Sequence, residues 1–212
     1  HRDRILDALW PGLDSDIAAR HLKVAFNTML NVLEPDRPPR LTSFCVTREG
    51  PLYGLNPHSG CWVDADEFES LTIKARRLAE TDPEAARDLY RSALDLYRGD
   101  FLPECLYEDW ATVERERLLA LYLRSAQSFA ELLSSGGETD ECINVCEQVI
   151  AKDVCWEEAY RLLILCYLQR GNKSMALRVY ERCETTLKDE MGVGPSRDTM
   201  AIFQRVRMMP ER

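Results

Sequence analysis

A spacing of 34 residues recurs in the second half of this chain of 212 residues. At that offset, Leu133, Gly137, Cys142, Val145 and Cys146 align with Tyr167, Gly171, Ala176, Val179 and Tyr180. A period of this length is typical of paired antiparallel helices, in which a glycine ends the first helix and a small residue lets the second pack closely. One such pair cannot bury its apolar face alone, so neighbouring pairs must stack. The repeat therefore predicts a mainly α-helical array.

An earlier helix pair fits the same pattern. Ala86, Leu89, Tyr90, Ala93 and Leu94 match Cys142, Val145, Cys146, Val149 and Ile150 at an offset of 56, which is one period plus an insertion of 22 residues. The insertion lies around "RGDFLPECLYEDW", where Gly99 and Pro103 interrupt helical structure. Three pairs are about the minimum for a stable tetratricopeptide-like array.

The apolar periodicity and the capping residues predict where the helices of this array begin and end. We expect "GVGPS", at 192–196, to stop one helix and cap the next. The predicted helices span residues 66–80, 83–97, 110–134, 138–152, 156–170, 173–191 and 196–207. We expect their aromatic side chains to fill the contacts between helices: Tyr90, Tyr97, Tyr107, Trp110, Trp156, Tyr160, Tyr167 and Tyr180.

The first 62 residues are built differently. Helices are predicted at 2–10 and 17–33, the second with an apolar stripe of Leu22, Phe26, Met29, Leu30 and Leu33. Two β-prone runs at 43–48 and 52–55 suit a hairpin. Helix, turn, helix and hairpin form the second half of a winged helix. We therefore predict a partial winged-helix domain at 1–62 and a tetratricopeptide-like α-solenoid at 63–212.

Charge separates the same two parts. Residues 1–60 hold seven Lys and Arg against seven Asp and Glu, whereas residues 61–212 hold 20 against 29. An acidic surface repels a phosphate backbone, so only the first part is a candidate for nucleic acid. The longest apolar run, at 162–168, is far too short to span a bilayer, and the amphipathic start at His1 is not a signal peptide. We expect a cytoplasmic protein without a membrane partner, and we expect the chain to begin partway through a longer polypeptide.

The cysteine pattern and the lack of catalytic motifs indicate which kinds of site to expect in this protein. Eight cysteines occur without a CxxC pair, several among aliphatic residues, which favours reduced thiols in the core. Cys142 and Cys146, one helical turn apart, leave a zinc site as the alternative, but the histidines are remote in sequence. The sequence has no GxxxxGK, HExxH or GxSxG motif. We therefore expect no metal, no cofactor and no enzyme.

Several longer segments resemble one family of bacterial regulators. The segments "LDALWPGLDSDIAARHLKVAFNTMLNVLEPD", "REGPLYGLN" and "VDADEFESL" resemble the end of the winged-helix domain of antibiotic-regulatory-protein type regulators. "LYRGDFL", "WATVERERL" and "LKDEMGVGPS" resemble the bacterial transcriptional activator domain that follows it. The resemblance covers nearly the whole chain. The resemblance implies transcription regulation. In some large regulators of this type, the same pair of domains follows an upstream signal-transduction ATPase.

The helix predicted at 17–33 carries the candidate DNA contacts. Four polar side chains recur at spacings of three and four, which places them on one strip opposite the apolar stripe. Asparagine can pair with adenine, and Lys or Arg with guanine. The resemblance adds a residue of the hairpin, which matches a minor-groove contact of the family's wing. The candidate residues are Arg20, Lys23, Asn27, Thr28, Asn31 and Arg48.

Two functions remain open. In the first, the helix docks in the DNA major groove while the repeats contact RNA polymerase, an upstream sensory domain or a second copy as a homodimer. In the second, the chain is a protein-interaction scaffold that does not bind DNA, and the polar strip is a solvated helix face. The family's arginine-rich "SRLRRxL" segment is replaced here by "NTMLNVL", which favours the scaffold. Arg20, Lys23 and Arg48 favour DNA.

Overall fold

The computed structural model describes residues 1–38 and 40–209 and divides into two compact units. The N-terminal unit holds His1–Val63 together with Cys105–Val113. The helical unit holds Asp64–Glu104 and the described residues from Glu114 onward. The predicted second domain included 105–113, which the structure groups instead with the N-terminal unit. Gly99 and Pro103 explain why this segment leaves the repeat, since they end the regular helix before it. That the two units act as separate domains stays a prediction.

The N-terminal unit begins with two helices, α1 (Arg2–Leu9) and α2 (Ser15–Leu33). α2 starts two residues before the predicted position because the Asp14 carboxylate caps it, accepting hydrogen bonds from the backbone N–H groups of Asp16 and Ile17. A small core of Leu6, Ala18 and Leu22 joins the two helices.

The predicted apolar stripe of α2 is only partly buried. Leu22 and Leu30 are buried and Phe26 is half-buried, but Met29 and Leu33 are exposed. Ala18 takes part in the core instead. The stripe is therefore covered at Leu22, Phe26 and Leu30 but not at Met29 or Leu33.

The hairpin consists of β1 (Val46–Glu49) and β2 (Leu52–Leu55), paired antiparallel with Val46 opposite Leu55. Gly50, with φ of 59°, supplies the left-handed backbone that its tight turn needs. The predicted first strand began at residue 43, which is wrong by three residues. The Glu34 carboxylate takes the hydrogen bonds of the Ser43 hydroxyl (2.7 Å) and the Cys45 N–H (2.6 Å), so this stretch does not pair as a strand.

The helical unit contains the repeat array. Its helices are α3 (Asp64–Leu78), α4 (Pro83–Leu96), α5 (Asp109–Gly136, whose first residues belong to the N-terminal unit), α6 (Thr139–Lys152), α7 (Glu157–Gln169), α8 (Lys173–Met191) and α9 (Arg197–Met208). A 3₁₀ turn at Pro103–Cys105 follows α4. α3 packs on α4, α6 on α7, α7 on α8, and α9 on both α7 and α8. One core runs from Phe68 to Val206.

The 34-residue period appears in the backbone as well as in the side chains. Gly137 and Gly171 both have left-handed φ values, 80° and 70°. The residue after each glycine donates its backbone N–H to the carbonyl oxygen five residues earlier, Glu138 to Leu133 and Asn172 to Tyr167. Both helices therefore end in the same Schellman arrangement, one period apart.

Small residues permit the close helix contacts that the repeat predicted. Cys142 and Ala176 are essentially fully buried at equivalent positions. The Cys142 thiol donates to the carbonyl oxygen of Ala130 on α5 at 3.2 Å. In the earlier pair, Ala86 and Ala93 are also fully buried. The predicted repeat register is confirmed.

Ion pairs tie the second helices of successive pairs together. The Arg91 guanidinium of α4 donates to both carboxylate oxygens of Glu141 on α6, at 2.7 and 2.8 Å. Arg182 of α8 donates to both oxygens of Glu147 on α6 from one nitrogen, Nη1. The Arg91 pair uses two nitrogens and is therefore bidentate, an arrangement that fixes orientation as well as adding energy. Both ion pairs link helices of neighbouring repeats.

One sequence expectation within these elements is wrong. Tyr107 is 97% exposed and Trp110 is 39% exposed, so neither fills a contact between repeat helices. The expectation for 192–196 is confirmed in position: Gly192 stops α8 in the left-handed conformation and Ser196 is the N-cap residue of α9. The Ser196 side chain makes no capping hydrogen bond, and its hydroxyl donates instead to the Glu157 carboxylate of α7 at 2.8 Å.

Candidate nucleic-acid interface

The polar strip of α2 is exposed along its length. Arg20, Lys23, Asn27 and Asn31 all face solvent, and Ala18, Leu22 and Leu30 are buried on the other side of the helix. The helical spacing of three and four residues produces this division. The structure thus confirms the predicted placement of the four side chains on one accessible face.

Most of the hydrogen-bonding groups on this strip are available. Among residues 1–38 and 40–209, the side chains of Lys23, Asn27 and Asn31 make no hydrogen bond or ion pair. Arg20 uses only its Nε, which donates to the Asp16 carbonyl oxygen at 3.2 Å. Thr28, also exposed, donates its hydroxyl to the Val24 carbonyl oxygen at 3.1 Å. Four of the five polar side chains therefore keep donors for a ligand.

The charge along α2 is one-sided. Beyond Asp16 in the first turn, the helix carries Arg20 and Lys23 and no Asp or Glu up to Leu33. This contrasts with the whole chain, whose formal net charge is −9. A cationic, acid-free helix face on an acidic protein suits a phosphate-bearing ligand.

The hairpin brings Arg48 close to α2. Arg48 lies opposite Tyr53 in the strand pairing, and its guanidinium stacks over the Tyr53 ring at 5.3 Å. The Tyr53 ring meets Phe26 of α2 edge-on, with centroids 5.0 Å apart. The Tyr53 ring therefore links the hairpin arginine to α2 through Phe26.

Two further hydrogen-bonded contacts attach the hairpin to α1 and to the end of α2. Glu34, at the end of α2, binds Ser43 and Cys45 ahead of β1. The Cys45 N–H and the Ser43 hydroxyl lower the pKa of Glu34 by hydrogen-bonding its carboxylate. At the other end, the Arg2 N–H donates to the Pro51 carbonyl oxygen in the turn at 2.7 Å. The hairpin is therefore held to both helices of its unit.

Sequence reasoning missed the residues that perform this positioning. Phe26 belongs to the predicted apolar stripe, and the helix prediction stops at residue 33 without giving Glu34 a role. A glutamate directly before Pro35, followed by Ser43, is only a weak signal for the contact of Glu34 with Ser43 and Cys45. The contact between Phe26 and Tyr53 joins residues far apart in sequence, and no local pattern indicates it.

The helical unit offers a different kind of surface. A cavity of about 350 Å³ opens between the end of α5, α7 and α9. Its lining is mainly apolar, with one guanidinium: Ser134, Leu165, Leu168, Gln169, Ile202, Arg205 and Met209. Such a groove can accept an apolar side chain next to an acidic group.

The described residues offer neither a metal site nor a membrane-spanning helix. Within the described ranges, no three His, Cys, Asp or Glu side chains are grouped to hold a metal ion. Cys142, Cys146, Cys166 and Cys183 are buried free thiols. None of the described helices combines the length and the apolar character needed to cross a bilayer.

Comparison with known sequences agrees with the resemblance noted in the motifs. Residues 63–207, more than half of the chain, match the family described as the bacterial transcriptional activator domain. The regulatory protein AfsR of Streptomyces coelicolor is 26% identical over 204 residues, which cover 95% of this chain and 20% of AfsR. The transcriptional regulator RedD of the same species is 26% identical over 196 residues, covering 90% of this chain and 54% of RedD. The chain thus spans a fifth of one relative and about half of the other.

A solved structure shares the fold. Mycobacterium tuberculosis EmbR, in complex with a low-affinity phosphopeptide, superposes with a TM-score of 0.80 over 98% of this chain and 55% of its own. The two sequences are 23% identical, so the likeness concerns the fold alone. The predicted fold class, a winged-helix part followed by tetratricopeptide-like repeats, is confirmed.

Proposed function

Because this chain belongs to the bacterial transcriptional activator domain family, we propose that it regulates transcription by binding duplex DNA through α2 and the hairpin. The relatives are regulators by name, which favours regulation over catalysis. Such a role belongs in the cytoplasm, where the bacterial genome lies.

The observation that carries the proposal is the pairing of the α2 strip with Arg48. In winged-helix and helix-turn-helix proteins, a helix enters the major groove and a neighbouring element contacts the backbone or the minor groove. Here Arg20, Lys23, Asn27 and Asn31 share the exposed face of α2, and the hairpin that carries Arg48 packs on the same helix through the Phe26–Tyr53 contact. In this mechanism Arg20, Lys23 and Arg48 bind phosphates, while the asparagines contact base edges.

The helical unit would serve protein contacts. Its acidic charge disfavours nucleic acid, and the groove that contains Arg205 suits an acidic, apolar peptide segment. We propose RNA polymerase, an upstream sensory domain or a second copy of the chain as its partner. A pure scaffold that does not bind DNA remains the second candidate. The uncharged Asn27, Thr28 and Asn31, where the resembling family carries arginines, favour that reading.

A polarisation assay with the full chain and random duplex separates the two candidates. We expect salt-sensitive binding that weakens when Arg20→Ala and Lys23→Ala are combined. Two lost phosphate contacts remove about two units from the slope of log affinity against log salt. At 0.1 M salt this corresponds to an affinity about 60-fold lower than that of the parent chain.

The matched control is Arg124→Ala with Arg178→Ala, which removes the same charge from exposed positions of the helical unit. It should leave the salt slope unchanged. Equal losses in both double variants would mean that net charge alone attracts DNA. No binding by the parent chain at about 50 mM salt would leave the scaffold as the function.

A further inference from the structure

The C-terminal half of α2 exposes apolar side chains beside its asparagines. Val24 is 67% exposed and Val32 is 76% exposed. Together with Asn27, Thr28 and Asn31 they form a contiguous surface, since each residue has another three or four positions away. We call these five residues the valine–asparagine patch.

Thr28 presents its methyl group within this patch. Its hydroxyl is already engaged by the Val24 carbonyl oxygen within the helix. The patch therefore displays two primary amides and the methyl groups of three β-branched side chains. A solvated helix face gains nothing from this composition, because β-branched residues are poorer helix formers than Ala, Lys or Glu.

The patch lacks the groups that recognise G·C pairs. Guanine is read mainly by Arg or Lys, and cytosine by Asp or Glu, and residues 24–33 contain none of these. Adenine is read by Asn or Gln through its N6 and N7 atoms, and thymine by apolar contact with its C5-methyl group. The groups present on the patch are those that match adenine and thymine.

The surrounding charge identifies the occupant as DNA rather than an apolar protein surface. Arg20 and Lys23 lie within one turn of the start of the patch, and α2 has no acidic residue after Asp16. Arg48 lies over Tyr53, whose ring contacts Phe26 of α2. An apolar and amide strip flanked by cations complements a major groove, in which base edges lie between two rows of phosphates.

We infer that the valine–asparagine patch selects A·T base pairs in the major groove. Asn27 and Asn31 pair with adenines, and Val24, Thr28 and Val32 pack against thymine methyl groups. The inference rests on the proposed DNA-binding function and adds its base preference.

The test uses the full chain and three duplexes of equal length and charge: one rich in A·T pairs, one rich in G·C pairs, and the A·T duplex with uracil in place of thymine. Uracil removes only the C5-methyl groups. We expect the A·T duplex to bind about tenfold or more tightly than the G·C duplex. The uracil duplex should bind severalfold more weakly than its thymine counterpart, because the methyl contacts are lost.

Substitutions assign the preference to the patch. The double variant Val24→Ala with Val32→Ala should discriminate less between thymine and uracil than the parent does, while it still prefers A·T over G·C. Asn27→Ala with Asn31→Ala should lose most of the preference over G·C and keep the discrimination between thymine and uracil. Val113→Ala, at a site that is 73% exposed elsewhere in the N-terminal unit, is the matched control and should behave as the parent.

The outcomes separate the two levels of the proposal. Salt-sensitive binding of equal strength to all three duplexes overturns the A·T inference and leaves DNA binding in place. Undiminished discrimination between thymine and uracil in the double valine variant also overturns it. Absence of binding to every duplex overturns the proposed function together with the inference.

Discussion

Replacing Cys142 by aspartate tests the repeat packing most directly. Cys142 is fully buried, and its thiol donates to the Ala130 carbonyl oxygen at 3.2 Å. Its surroundings disfavour negative charge: the neighbouring Cys146 thiol and burial raise the pKa of Cys142 from 9.0 to about 12. An aspartate here would also face the Ala130 carbonyl without a donor to offer.

We therefore expect Cys142→Asp to lower the free energy of unfolding at pH 7 by about 3 kcal/mol or more. For a unit of this size that is a fall of roughly 10 °C in the melting temperature. The penalty depends on pH in a defined direction. The buried carboxyl has a folded pKa above its unfolded value, so the loss is complete at neutral pH. It shrinks as the pH approaches the unfolded pKa of about 4.

The measurement is thermal and urea unfolding followed by circular dichroism at pH 7 and at acid pH. Cys142→Ser is the matched control, because its hydroxyl can still donate to Ala130. Cys61→Asp adds the same charge at an exposed cysteine and should leave stability unchanged. A Cys142→Asp protein that melts with the parent would show that α6 does not pack against α5 at this position.

Two further predictions concern an ion pair and the hairpin. Hydrogen bonding by Arg91 lowers the pKa of Glu141, so the pair stabilises the fold above the unfolded pKa and is lost as the pH falls through the folded value. In pH-dependent urea unfolding, Glu141→Gln should cost up to about 1 kcal/mol at pH 7 and nothing in acid, and a loss independent of pH would contradict this. Tyr53→Leu should weaken duplex binding as much as Arg48→Ala does, because it removes the ring between Arg48 and Phe26. Tyr53→Phe keeps the ring and should bind as the parent in the same polarisation assay, whereas a loss there would assign the effect to the hydroxyl.

Sequence patterns predicted most helix boundaries of the helical unit, because these boundaries depend on residues close to them in the chain. The predicted ends of α6, α7 and α8 lie within a residue of the observed ones. The glycines at 137 and 171 set these boundaries through their left-handed backbone, which depends on the residue itself. The exposed strip of α2 was equally predictable, since helical spacing alone determines which side chains share a face.

Contacts between distant residues decided the rest. Tyr53, which the Arg48 guanidinium covers, contacts α2 through Phe26, and the Ser43 hydroxyl and the Cys45 N–H donate to Glu34. Ser196 is the N-cap residue of α9, but its hydroxyl donates to the Glu157 carboxylate instead of capping the helix. Tyr107 and Trp110 looked like core aromatics, yet their segment belongs to the N-terminal unit, where both are exposed.

The amino-acid order alone determined the helix pairs, their 34-residue period and the polar face of α2, since backbone conformation and side-chain periodicity are properties of short stretches of chain. Only the tertiary structure decided that Tyr53 of the hairpin packs on Phe26 and that Val24 and Val32 stay exposed while Leu22 and Leu30 are buried. Burial and hydrogen-bond partners depend on what the rest of the chain brings alongside, and no short stretch contains that information.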